Sequence, residues 1–123
     1  MNAYLTVLVI NARKKYDVQY PLLYAPPGHK YEQKFNSVQR AHQNTLESYS
    51  FVMLNMCVNG LVYPVTSAAF GAIYCIGRIV YGYGYASGGP QGRMFGGILS
   101  HLGDIPLVVT SLKIAYDMIS AGK

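Results

Sequence analysis

Three polar side chains in the segment that begins at Phe35 carry the most chemistry in this sequence. Arg40, Asn44 and Glu47 are spaced four and then three residues apart, a spacing that puts them on one face of a helix. A guanidinium and a carboxylate flanking an amide suit a ligand that bears both signs of charge. The same residues also suit an Arg–Glu pair that fixes helix packing, and spacing does not choose between the two. A charge at mid-membrane costs ~2.5–3.5 kcal/mol, less near the interface, so this face needs a polar interior. Tyr74, Arg78, Tyr81 and Tyr85, spaced four, three and four apart, form a second stripe. Tyr83 lies off that line and reads as part of an interfacial aromatic belt.

The elements that must hold these stripes follow from the apolar runs. The first segment spans about Ala3 to Ala12 and stops at Arg13-Lys14-Lys15; at ~1.5 Å per residue it covers half of a ~30 Å hydrocarbon core. A second helix is expected from Phe35 to Val62, after a loop broken by Pro21, Pro26, Pro27 and Gly28. A third is expected from Val65 to Tyr85, followed by a flexible stretch, Ala86 to Gly92. The fourth runs from Met94 or Phe95 to Ile119, and Pro106 either kinks it or makes Asp104 its N-cap. The short link between the second and third segments makes them antiparallel neighbours. The expected fold is therefore all-α, an integral membrane four-helix bundle formed by residues 1–123 as one domain.

Composition supports this reading. Half of the 123 residues are hydrophobic and 12% are charged, against about 25% in an ordinary soluble domain. Twelve tyrosines without tryptophan suit a tyrosine-rich interface. The net charge of +5 is not spread along an aromatic-studded soluble face, which argues against nucleic acid. Arg13, Lys14, Lys15, Lys30 and Lys34 instead cluster between apolar segments, as in a cytosolic loop, and Arg93 falls on the same side. Cys57 and Cys75 read as free, buried thiols. Met1-Asn2-Ala3-Tyr4 offers no basic region or cleavage site, so no signal peptide is expected.

The stretch Phe35-Asn36-Ser37-Val38-Gln39-Arg40-Ala41-His42-Gln43-Asn44-Thr45-Leu46-Glu47 resembles the signature of the membrane-associated proteins in eicosanoid and glutathione metabolism. Ala12-Arg13-Lys14-Lys15-Tyr16 before Tyr20-Pro21, Gly77-Arg78 through Tyr85, and Gly88-Gly89-Pro90 before Arg93 agree with it. Within that family the pattern is most like the type-three microsomal glutathione transferases. The resemblance implies a homotrimer with glutathione bound between subunits and open to the cytosol. It also implies the endoplasmic reticulum membrane, or alternatively the outer mitochondrial membrane. Arg40 would meet a glutathione carboxylate, Asn44 its peptide backbone and Glu47 its ammonium, with Tyr81 and Tyr85 contacting it from the third helix. His42, where synthase members carry glutamine, and Arg13 are secondary contacts.

The implied activity is glutathione transfer, with peroxidase or leukotriene-C synthase chemistry on lipophilic electrophiles or lipid hydroperoxides, and without a metal. The attacking species is a thiolate, and a thiol of pKa ~8.5 is mostly protonated at neutral pH. A guanidinium beside the sulfur favours the anion, and the resemblance gives that role to Arg93. Ser48 departs from the family's synthases, which carry tyrosine there. Family members also begin well before this first segment, which implies an incomplete gene model or a truncated paralogue. The alternative function is a non-catalytic lipid-binding or scaffold member. Asn55 and Asn59 are expected to join helices, and His101–Asp104 and Lys113–Asp117 to form local pairs rather than metal sites.

Overall fold

A computed structural model describes residues 1–122. Four helices follow one another: α1 (Asn2–Tyr16), α2 (Glu32–Val62), α3 (Pro64–Gly92) and α4 (Met94–Ala121). The all-α bundle expected from the sequence is the fold observed. Pro64 sets the α2–α3 boundary. It bars helical geometry at Tyr63, whose φ/ψ is −129/68, and then occupies the first turn of α3. α3 and α4 are each long and apolar enough to cross a membrane. At ~1.5 Å per residue the 31-residue α2 is ~46 Å long, but it is not among the helices apolar enough to cross.

Two expected boundaries are corrected, and an open choice at the fourth helix is resolved. α1 does not stop at Ala12 but continues through Arg13, Lys14 and Lys15, whose positive charge in the last turn complements the helix dipole. It ends at Asp17, in the left-handed region with φ 53. α3 does not fray at Tyr85: the stretch expected to be flexible extends the helix, and non-helical geometry is confined to Gly89, with φ 62 and ψ −152. After this break the chain doubles back, so that a Cβ on Gly84 would lie 2.2 Å from the Gly92 carbonyl oxygen. α4 begins at Met94 and runs through Pro106, so Asp104 is an interior residue and not a cap.

α3 and α4 pack backbone to backbone. A Cβ on Gly77 would sit 2.4 Å from the Ser100 nitrogen, and one on Gly96 would sit 2.2 Å from the Tyr81 nitrogen. Small residues allow this approach where no water drives helices together. Asn59, fully buried, donates to the Leu107 carbonyl at 2.9 Å and the Ser111 hydroxyl at 2.7 Å, joining α2 to α4. Asn55 does not share that role, because its amide returns to the Phe51 carbonyl of its own helix. Cys75 is half-buried, but Cys57 is exposed and not buried as expected; both are free.

Candidate functional site

The fold-back at Gly89 places Arg93 beside Tyr81 and Tyr85, two of the in-line tyrosines of α3. Its guanidinium carbon lies 5.4 Å from the Tyr85 ring centre, and Tyr85 packs edge-on against Tyr81 at 5.6 Å. The Tyr81 phenol beside it is the main cause, with Tyr85 next, of an Arg93 pKa held above the ordinary arginine value. A cavity of about 400 Å³ lies below, walled by Asn44, Arg78, Tyr81, Arg93 and His101, with Met94 and Ile98 on its α4 side. Three residues that the resemblance assigns to glutathione, Asn44, Tyr81 and Arg93, thus share one cavity.

Arg40 and Tyr85 line a different opening, with Tyr24, Gln33, Asn36 and Ser37. Glu47 is tied to Arg40 across two turns of α2, at 3.2 Å, and their side chains are 49% and 45% exposed. His42 turns toward α1, its Nε2 3.4 Å from the Thr6 hydroxyl. Arg13 is buried and donates to the carbonyls of Val18 and Leu22 at 3.3 and 2.8 Å, between the rings of Tyr20 and Phe35. Within one chain Arg13 clasps the loop, while Lys15 and Lys34 line a separate cleft beside Tyr85.

Sequence reasoning placed Arg78 in the tyrosine stripe but gave it no task. The residue is 5% exposed. Nη1 donates to Asn44 Oδ1 and Nη2 to Ser48 Oγ, both at 2.9 Å, and the guanidinium sits over the Tyr74 and Tyr81 rings. Nε has no acceptor among the described residues. Ser48, noted in the sequence only as a departure from the synthases' tyrosine, is a partner of both Arg78 and the Tyr74 hydroxyl, the latter 2.8 Å away. Its hydroxyl at one turn from Asn44 was the available signal. The bond from Arg78 also orients the Asn44 amide, leaving its NH₂ to donate elsewhere.

Residues 1–113 match the MAPEG family. The chain belongs to that family. This MAPEG chain is 36% identical over 110 residues to an uncharacterised protein of Synechocystis, covering 86% of this chain and 75% of the relative. It is 30% identical over 92 residues to leukotriene C4 synthase of Bos taurus, covering 74% of this chain and 57% of the synthase. The synthase of Cavia porcellus is 32% identical over 87 residues, 70% of this chain and 54% of that protein. The chain thus spans little more than half the length of these synthases.

Proposed function

We propose that this protein is a membrane-bound glutathione transferase or peroxidase, acting on lipophilic electrophiles or lipid hydroperoxides. One observation carries the reading: the cavity holds Arg78 and Arg93, and no carboxylate stands in its wall among the described residues. Two guanidiniums with no carboxylate in the wall beside them attract an anion, and glutathione chemistry needs a thiolate at such a place. Arg93 stabilises the sulfur, and Arg78 adds positive potential from the floor. Arg40 takes a glutathione carboxylate, Glu47 the ammonium and Asn44 the peptide, with Tyr81 and Tyr85 along its length. Because the Arg40–Glu47 pair is half-exposed, exchanging its partners for those of the ligand costs little. Arg13 and His42 remain secondary contacts, each held by another partner in the free chain.

The protein works as a homotrimer in the endoplasmic reticulum membrane. The support for a trimer is the exposure of Arg40 and Glu47 on a bundle helix, together with exposed Phe51, Leu54 and Leu61 farther along α2. Charges at membrane depth need cover by protein, and a neighbouring subunit supplies it. In transfer, the thiolate attacks an electrophilic carbon and the leaving group departs with its electron pair. In reduction, the thiolate attacks a peroxide oxygen.

Detergent-purified protein should scatter light as a trimer and bind glutathione in calorimetry, with thiolate absorbance near neutral pH. A monomer that binds none overturns the reading. Arg93→Ala should show the thiolate only at higher pH and lose ~10²-fold in turnover of an activated aryl halide, with little change in affinity. Normal signal and rate in that variant would leave Arg93 as an anchoring charge.

A further inference from the structure

The geometry points to a proton-carrying pair, His101 and Asp104, that makes this cavity a site for reducing hydroperoxides. His101 forms part of the same wall as Arg78, Tyr81 and Arg93. Its Nδ1 lies 3.2 and 3.1 Å from the two carboxylate oxygens of Asp104, one turn further along α4. The Asp104 side chain is only 14% exposed, whereas that of His101 is 60% exposed. A carboxylate that accepts from Nδ1–H fixes the tautomer and leaves the Nε2 lone pair to take a proton.

Position supports the assignment. Ser100 packs its backbone on Gly77, so His101 stands at about the level of Arg78. It lies eight residues after Arg93, ~12 Å along the helix. Met94 and Ile98 wall the cavity between them, and both are exposed, as are Leu102 and Ile105 beside the histidine. A hydrocarbon tail lying along this apolar surface would leave its polar end beside His101. The charged or titratable groups around that point are Asp104 on α4, Arg78 and Tyr81 on α3, and Arg93 at the turn; α2 contributes the neutral Asn44.

This inference rests on the glutathione reading. With the sulfur held in the cavity between the two side chains, the thiol passes its proton to His101 Nε2 and Arg93 favours the thiolate that forms. The sulfur then attacks the terminal oxygen of the hydroperoxide, the O–O bond breaks, and its electron pair leaves on the alkoxide. Nε2–H returns the proton to that alkoxide, giving the alcohol and glutathione sulfenic acid. A second glutathione condenses with the sulfenic acid to the disulfide and water. Conjugation to an aryl halide releases a halide ion, which needs no proton.

The test compares His101→Gln and Asp104→Asn with the unaltered trimer, each assayed with glutathione against a long-chain alkyl hydroperoxide and an aryl halide. The ratio of the two rates is read, because it is independent of the folded fraction. That ratio should fall ~10²-fold for His101→Gln, the lower end of general acid–base contributions, and ~10-fold for Asp104→Asn. The loss should shrink with hydroperoxides whose alcohols are more acidic, since their alkoxides need the proton less. Ratios unchanged in both variants, or an unaltered protein that conjugates but reduces no hydroperoxide, overturn the inference and leave the glutathione reading standing. An unaltered protein that does neither overturns both.

Discussion

Arg40 and Arg78 occupy facing stripes of α2 and α3, and the structure treats them in opposite ways. Arg40 has a carboxylate partner and is half-exposed. Arg78 is buried, has only neutral acceptors and aromatic faces around it, and leaves Nε unbonded. Burying a cation without an anion is expensive, and such a group is seldom kept for stability. The contrast separates two kinds of polar residue in a membrane bundle. Arg40 is satisfied by the chain itself and is free to exchange partners, whereas Arg78 is left one anion short.

Arg78→Met is the strongest way to break that contrast. Ser48 keeps its Tyr74 partner and Asn44 still faces the cavity, so the ligand-free melting midpoint should not fall. Glutathione affinity should drop about 10²-fold, the upper end of a charge-assisted hydrogen bond. A lower midpoint with unchanged affinity would mark Arg78 as a structural residue. Glu47→Gln sharpens the other side: about tenfold weaker glutathione binding in calorimetry, with an intact trimer, because glutamine can still accept from Arg40. Unchanged affinity would confine Glu47 to helix packing. The smallest effect is expected from Ser48→Ala, which removes one acceptor from Arg78 and should cost about 1 kcal/mol of unfolding free energy. A change of several kcal/mol in chemical unfolding would show that Ser48, and not Asn44, anchors the guanidinium.

The parts legible in the sequence were those that periodicity controls. Charge scarcity, proline breaks and the two polar stripes led to four helices, to the pairing of Arg40 with Glu47, and to the bond that Asn59 makes across to α4. What was missed lies where tertiary context overrides composition. Basic residues at Arg13–Lys15 read as a loop, yet a helix C-terminus welcomes them. Ala86 to Gly92 read as flexible because glycine permits disorder, yet a single positive-φ glycine suffices to turn the chain. The task of Arg78 could not be read at all, because its two acceptors come from another helix. His42 shares the motif's neighbourhood in sequence but turns toward α1, since successive helical positions diverge by ~100°, whereas Arg13, on α1, is held by the Val18 and Leu22 carbonyls.

The glycine seam between α3 and α4 has a consequence for how this protein can change over generations. Positions 77, 96 and 103 are locked, because any added carbon there meets main chain. Met94, Ile98 and His101, spaced four and three apart on the same helix, stand clear of that seam and face the cavity. Mutation at these three sites alters the size, greasiness and proton supply of the wall without moving either helix. The scaffold thereby divides α4 into one edge that tolerates no drift and another on which new substrates can be acquired by single steps.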